Sequence, residues 1–430
     1  MSDLFRLSAT KAARAIARGE LTSEALVTSC LERIEAREGT VRAWAYVAAE
    51  QALAEARERD RSAASGPLHG VPVGIKDVID TADMPTDYGS DAFDGFQPRE
   101  DAECVRLLKE AGAIILGKTV TAEFATYRPG PTRNPHNPDH TPGGSSSGSA
   151  AAVADFHVPL TLGTQTAGSV IRPASFCGVI GFKPTRKRYD TGGMVDTAHH
   201  LDTLGGFGRA VEDLELLDSV LGSETKDIEP TSEPPRIGLY RSGAWNQASP
   251  ETQKLFFETA DVLRDAGAEL MGVEGSELFD RLGEAQRLIH MREAWICLGP
   301  VVEKHADRIS DVLKQFIAAG RDLPAEKYLE ALDIQKVCVN EQDSLFGECD
   351  FLLTPSAPGI APYGIDSTGD PVFNRMWTAL GTPCLGFPVK EGEKGLPIGL
   401  QIIGRQGQDR EILGFGHWMV NVAGRWQSKL

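Results

Sequence analysis

The sequence predicts a layered α/β fold, and three observations carry that expectation. Helical and extended patterns alternate along the chain. Glycine repeatedly separates a helix from the strand that follows it. The extended segments around Ile75, Ile114-Ile115 and Val179-Ile180 are apolar at consecutive positions, as in strands of a largely parallel sheet covered on both faces.

Taken in chain order, Thr22 and Ser23 offer an N-cap, after which Val27, Leu31 and Ile34 recur at helical spacing. The apolar segment Val71-Pro72-Val73-Gly74-Ile75 ends in Lys76. Residues 102–111 read as a helix closed by Gly112, with a strand over 113–116. Ala150-Ala151-Ala152-Val153-Ala154 reads as a packed helix leading to a strand through Leu160 and Leu162. Farther on, Leu255, Thr259, Val262, Leu263 and Ala266 form a stripe that Gly267 ends, and an extended segment runs to Val273. There is no internal repeat and no low-complexity tract.

The chain has 430 residues, a length that by itself suggests about three domains of ~150 residues. The best candidate linker, 222–235, is polar and holds Pro230, Pro234 and Pro235. Short motifs lie on both sides of it, so the expectation is one domain with an inserted or appended variable half. Sixty-one acidic against 44 basic residues give a net charge of −17. An acidic surface repels phosphate backbones, which argues against nucleic acid as a partner. No run reaches the ~18 apolar residues of a membrane span. The start, Met1-Ser2-Asp3-Leu4-Phe5, lacks a basic-then-apolar leader. Seven cysteines without a CxxC pair fit buried, reduced thiols in a cytoplasmic protein.

Three pattern matches fail on context. Residues 112–119, GAIILGKT, fit the P-loop letter for letter, but their interior is an apolar β-type run, so the glycines bracket a strand. Gly144-Ser145-Ser146-Ser147-Gly148 fits GxSxG, yet the nucleophile elbow must follow a strand and this one follows a loop. His136 and His140 have the spacing of a helical zinc pair, but Pro138 and Pro142 argue against a helix, leaving exposed loop histidines.

Two serine-bearing, glycine-rich turns remain. Gly143-Gly144-Ser145-Ser146-Ser147-Gly148-Ser149 opens the first, and Gly163-Thr164-Gln165-Thr166-Ala167-Gly168-Ser169 the second. Gly/Ser runs are usually linkers, but this one is followed at once by a packed helix and a strand. Its glycines let backbone N–H groups converge on one point, as an oxyanion site requires. Neither turn contains a histidine, so a serine nucleophile here needs another base. Lys76 on its spacing alone reads as a surface lysine paired with Asp77 or Asp80. Desolvation at the end of an apolar segment would instead let it lose its proton.

These turns, in this order, resemble the amidase signature family. His69-Gly70-Val71-Pro72-Val73-Gly74-Ile75-Lys76-Asp77 is similar to the family's lysine strand, and Asn134-Pro135-His136-Asn137-Pro138 to its lead-in to the serine loop. Gly181-Phe182-Lys183-Pro184-Thr185, Leu201-Asp202-Thr203, Thr354-Pro355 and the segment from Gly395 to Gly404 follow in the family's order. The resemblance covers nearly the whole chain. It implies one large α/β domain over 1–430, with a central mixed β-sheet flanked by helices on both sides. The catalytic core would span about 60–220, closing strands about 350–410, and a variable, substrate-side region about 236–347.

The resemblance also implies a Ser–Ser–Lys triad. Ser169 would be the nucleophile, Ser145 the bridging serine held in a cis peptide, and Lys76 the base. Backbone N–H groups of Thr166, Ala167, Gly168 and Ser169 would form the oxyanion hole, with no metal or organic cofactor. The form Ser169-Val170-Ile171-Arg172-Pro173 resembles malonamidase-type members, in which an arginine holds a substrate carboxylate; a structural salt bridge is the competing role for Arg172. Ala167 stands where many members have glycine, at a steric cost of about 1 kcal/mol if φ there is positive. Gln165 replaces a common aspartate. The expected reaction is hydrolysis of a small carboxamide, a homodimer being ordinary for such a chain. The competing readings are a glutaminase of the amidotransferase type, which needs partner subunits, and a non-catalytic binding protein on the same scaffold. Phe256, Trp295 and Trp377 read as core rather than as pocket lining.

Overall fold

The computed structural model of the chain describes residues 3–222 and 234–422. Met1, Ser2 and most of the candidate linker therefore lie outside the described residues. Eleven strands run in chain order as β1 (Trp44–Val47), β2 (Pro72–Lys76), β3 (Ile114–Thr119), β4 (Leu160–Gln165), β5 (Ile180–Lys183), β6 (Thr203–Gly208), β7 (Arg236–Arg241), β8 (Glu269–Glu274), β9 (Phe351–Pro355), β10 (Cys384–Glu391) and β11 (Pro397–Ile403). They join into one sheet in the order β1-β3-β2-β4-β6-β5-β10-β11-β9-β7-β8.

The sheet is mixed, and the largely parallel reading does not hold. β2 pairs in parallel with β3 and β4, and β7 with β8 and β9. Every other pairing among the described residues is antiparallel. The antiparallel centre is nonetheless buried on both faces, because helices cover each side. β3 shows how side-chain alternation feeds two cores. Ile115 joins Leu108, Leu160, Leu217 and Ile412 on one face, while Ile114 and Leu116 join Leu26, Val27, Ala151 and Ile171 on the other. Apolar runs in sequence thus signalled two-sided burial, not strand direction.

Local signals place the elements. Thr22 Oγ1 accepts from the backbone N–H of Ala25 at 3.2 Å and opens the helix Ser23–Val41. Glu103–Glu110 is helical, and Gly112 follows it with φ +90°. The strand then runs past Leu116 to Thr119, because Gly117 and Lys118 stay in the ladder with β2. The helix Pro250–Asp265 ends just before Gly267, at φ +101°. Val262 is 43% exposed and lies off the buried stripe assigned to it. Among the described residues, no helix is long and apolar enough to cross a membrane.

Candidate active site

β2, the third of the eleven strands in sheet order, delivers Lys76 to its C-terminal end, beside the C-terminal end of parallel β4. Lys76 is not a surface lysine: its side chain is fully buried. Its Nζ donates to Ser145 Oγ at 2.7 Å and to Thr164 Oγ1 at 2.7 Å. Burial holds the amine well below the ordinary lysine value, opposed by the charge of Asp202. Asp202 accepts from Thr166 Oγ1 at 2.5 Å and from the backbone N–H groups of Thr197 and Ala198 at 2.7 and 2.8 Å. Burial raises its carboxyl to about 6 despite those donors.

The first serine turn packs against β4. The Gly144–Ser145 peptide is cis, and Ser145 O accepts from Ala122 N at 3.1 Å. Ser146 faces the other way. Its Oγ donates to Thr164 O and accepts from Thr164 N, each at 3.2 Å, which pins the turn to the strand. Gly163 admits this approach, since a Cβ there would lie 2.5 Å from Phe207 Cε2 and 3.0 Å from Ser146 Oγ. The helix Ser147–Ala154 then begins, so the GxSxG match precedes a helix without following a strand.

The second turn is held from outside by three side chains. Gln165 Oε1 accepts from the backbone N–H of Val170 at 2.9 Å and of Ile171 at 3.1 Å, while Nε2 donates to Thr378 Oγ1 at 2.9 Å. Thr378 Oγ1 donates on to Ala167 O at 2.6 Å, and Gln286 Nε2 donates to Thr166 O at 2.8 Å. With these carbonyls tied back, the turn is rigid where Ser169 leaves it. Ala167 does not have a positive φ, so the anticipated steric cost does not arise. Gly168 sits tightly, a Cβ there meeting Asn374 Oδ1 at 2.5 Å and Pro371 Cβ at 2.8 Å.

Ser169 is 8% exposed and borders a cavity of about 120 Å³ together with Thr166, Ala167, Arg172, His290 and Thr368. Among the described residues, no hydrogen bond joins Ser169 to Ser145. The structure therefore brings Lys76 and Ser145 into contact, and groups Ser169 with Thr166, Ala167 and Arg172 around the cavity. Among the described residues, Arg172 makes neither a salt bridge nor a bidentate fork with both terminal nitrogens free. Its Nε donates to Thr368 O at 2.7 Å, and Nη2 to Gly144 O at 2.7 Å and Thr368 Oγ1 at 3.1 Å. Nη1 is buried without a partner. Burial and the neighbouring Arg375 push this guanidinium down to about 10.

Other expectations resolve in the same way. Lys118, the lysine of the P-loop match, is buried in β3 and donates to Ile79 O at 2.7 Å and to Thr81 Oγ1 at 3.2 Å. His136 is exposed as expected, but His140 is 3% exposed because its Nδ1 meets Ala361 O at 2.8 Å. All seven cysteines are unpaired, and Cys297 is only partly buried. Phe256 and Trp377 are core residues, whereas Trp295 is partly exposed. Sequence reasoning missed the parts played by Thr164, Gln286, Thr378 and His290. Asp202 was visible as a motif member without an assigned contact. Among the described residues, no group of three His, Cys, Asp or Glu is arranged to hold a metal ion.

An eleven-stranded mixed sheet with paired serine turns at the end of a lysine strand defines a class of amide hydrolase. Residues 25–413 match the amidase family, and the chain belongs to that family, whose members cleave carbon–nitrogen amide bonds. It is 32% identical to the A subunit of the glutamyl-tRNA(Gln) amidotransferase of Nitratidesulfovibrio vulgaris (strain DP4), over 97% of each chain. It is 34% identical to the corresponding protein of Geobacter metallireducens, over 96% of this chain and 97% of that one. Among solved structures, it superposes with a TM-score of 0.89 on an amidase of 30% identity, covering 96% of this chain and 99% of the other. It superposes with 0.86 on the peptide amidase of Stenotrophomonas maltophilia, at 28% identity over 97% of each.

Proposed function

We propose that this enzyme hydrolyses a small carboxamide to a carboxylate and ammonia or an amine through an acyl-enzyme on Ser169. The observation that carries the reading is the fully buried Lys76 amine, 2.7 Å from Ser145 Oγ. Burial favours the neutral amine, and a neutral amine has a lone pair to receive a proton. Ser145 both donates and accepts, so it passes the Ser169 proton to Lys76 as Ser169 attacks the amide carbon. The tetrahedral oxyanion is met by backbone N–H groups of the turn Thr166, Ala167, Gly168 and Ser169. Its collapse breaks the carbon–nitrogen bond, and the leaving amine takes the proton back from Lys76 through Ser145. Water then attacks the ester by the same relay, releasing the acid and free Ser169. The Ser169–Ser145 contact closes on substrate binding, as catalytic hydrogen bonds commonly do. Asp202 orients the turn through Thr166 and keeps the Lys76 proton affinity within reach.

Arg172 contributes twice. Two of its nitrogens tie the first serine turn to the loop at Thr368, and the Nη1 N–H groups are left to donate toward the acyl end of the substrate. The unpaired thiols suit a reducing cytoplasm. The region about 236–347 shapes the substrate side.

The test is ammonia or amine release over aryl, alkyl, malonamate-like and peptide amides. Ser169→Ala should abolish turnover with an unchanged fold. Ser145→Ala and Lys76→Ala should each lower kcat by ~10³-fold or more, since the three act as a unit. Ser146→Ala should cost far less. A dead Ser146→Ala beside an active Ser169→Ala would overturn the assignment. The named relatives favour a second reading, a glutaminase that supplies ammonia within an amidotransferase complex. Glutamine hydrolysis that appears only with partner subunits would select it. No turnover of any amide, together with a fluorophosphonate that fails to label Ser169, would leave a binding protein on the same scaffold.

A further inference from the structure

A cavity of about 290 Å³ lies beside the helix Ala9–Ala17 and shares no lining residue with the cavity at Ser169. Five charged residues line it, and four of them are cations: Arg6, Lys11, Arg14 and Arg209, against Glu212 alone. The chain as a whole runs the other way, with 61 acidic and 44 basic residues. Glu212 lies 3.7 Å from His417 Nδ1, and Arg6 pairs with Asp3 at 3.2 Å. The side chains of Lys11 and Arg14 form no ion pair and no hydrogen bond among the described residues.

Arg209 adds a more deeply placed charge. Its Nη1 donates to Val153 O at 3.3 Å and Val158 O at 2.9 Å, and its Nη2 to Phe5 O at 3.2 Å and to Leu7 O. Nε is buried without a partner, as is Oγ1 of Thr10, another lining residue. The nearby carboxylate is Asp213, whose oxygens accept from the backbone N–H groups of Thr10, Arg209 and Ala210. Among the described residues it forms no ion pair with the Arg209 guanidinium, so carbonyl dipoles carry most of the compensation. The cavity is left with positive charge that its own carboxylates do not neutralise.

The remaining wall is apolar. Val179 and Ile180 are buried. The Phe156 ring has Arg6 Cζ at 4.8 Å and Arg209 Cζ at 5.1 Å from its centroid. Phe156 holds φ +62°, a region that bulky side chains rarely adopt and that is found most often at functional sites. At ~30 Å³ for each water-sized group, the cavity accommodates about ten heavy atoms. An inorganic anion would answer the charge and leave the apolar wall wet, and a neutral hydrocarbon would do the reverse.

We propose that this cavity is a binding site for an amphipathic carboxylate of about ten heavy atoms. Lys11 and Arg14 hold the anionic head in the field of Arg209, and the alkyl or aryl body lies against Phe156, Val179 and Ile180. The helices that leave both serine turns end here. Ser147–Ala154 closes at the lining residue Ala154, and Ile171–Cys177 is followed by Gly178 and Val179. A ligand that spans these ends stabilises the folded chain.

The experiment titrates the full chain calorimetrically with octanoate, which has ten heavy atoms, and records melting curves with and without it. Acetate is the anion without the body, and 1-octanol the body without the anion. Octanoate should bind at one site per chain, about tenfold or more tighter than either control, and raise Tm. In a Lys11→Glu, Arg14→Glu double variant its affinity should fall by about tenfold or more, because like charges then face the head. Both side chains are exposed, and a glutamate at position 11 suits the first turn of its helix, so unliganded Tm and kcat/KM on an amide should stay at wild-type values. If that variant does not fold, added salt reads the same contact: it should weaken octanoate binding to wild type and leave 1-octanol binding undiminished. The Ser169 cavity has room for about four heavy atoms by the same measure and does not admit the probe. No saturable octanoate binding, equal affinity for acetate or for 1-octanol, or octanoate affinity unchanged in the double variant overturns the proposal.

Discussion

Replacing Gln165 with leucine should both destabilise the protein and slow it. The Gln165 side chain is fully buried and accepts from the N–H groups of Val170 and Ile171. Leucine fills a similar space without a polar atom, so two buried donors lose their partner. At about 1–3 kcal/mol for each unpaired buried group, the loss is ~2–6 kcal/mol. Unfolding entropy of ~2.1 cal/mol/K per residue gives ~0.9 kcal/mol/K for 430 residues, which converts the loss to a Tm decrease of ~2–7 °C. Val170 directly follows Ser169, so the same change loosens the serine, and a displacement of ~1 Å costs ~10²-fold in rate. Gln165→Glu, which keeps acceptors for both N–H groups, should retain more of both properties. Calorimetry and kcat at saturating amide measure the two effects on one preparation. A Gln165→Leu protein with wild-type Tm and wild-type kcat would refute the idea that this side chain positions the turn.

Three further outcomes follow from the same contacts. Because burial lowers the Lys76 proton affinity and the relay needs its neutral form, kcat/KM should rise with pH from the neutral into the alkaline range and then level off; a flat profile with chemistry rate-limiting removes Lys76 as the titrating base. Asp202 titrates higher in the folded state than the ordinary 3.8, so it contributes stability present below that value and lost as pH rises through about 6. Over that span of about two pH units, the stability advantage of wild type over Asp202→Asn should shrink by at most ~3 kcal/mol, as Asp202 keeps some exposure; denaturant titrations at pH 4 and 7 measure it. Arg172→Lys cannot reach both Gly144 O and Thr368 O, so kcat/KM should fall for every amide, most for those with an acceptor at the acyl end, and unchanged values for all would contradict the tie.

The sequence reveals the chemistry-bearing turns more readily than the contacts that make them work. Ser145 and Ser169 stand out because glycine and serine recur around them where a flexible linker has no place, whereas Lys76 on its spacing alone reads as a surface lysine, and it is the resemblance to the amidase signature family that implies the roles of all three. The layered fold is visible because glycine punctuates it, as at Gly112 and Gly267. Strand direction is not visible, since Phe207 of an antiparallel pair and Ile75 of a parallel one are equally apolar and equally buried. Nor are the supports of the second turn. Gln286 and Thr378 lie 120 and 211 residues from the carbonyls they bond, and no local spacing links them. Arg172 shows the remaining gap: sequence offered a carboxylate or a salt bridge, whereas two of its three hydrogen bonds end on backbone carbonyls that only the fold brings near.

The most direct measurement of the relay is covalent labelling of the resting enzyme with a fluorophosphonate, followed by peptide mapping. A Lys76–Ser145–Ser169 relay predicts one adduct, on Ser169, formed at a rate that rises with pH as Lys76 deprotonates and is strongly reduced in Lys76→Ala and Ser145→Ala. Ser169→Ala should show none. An adduct on Ser146, or labelling of Ser169 at an undiminished rate without Lys76, would contradict it.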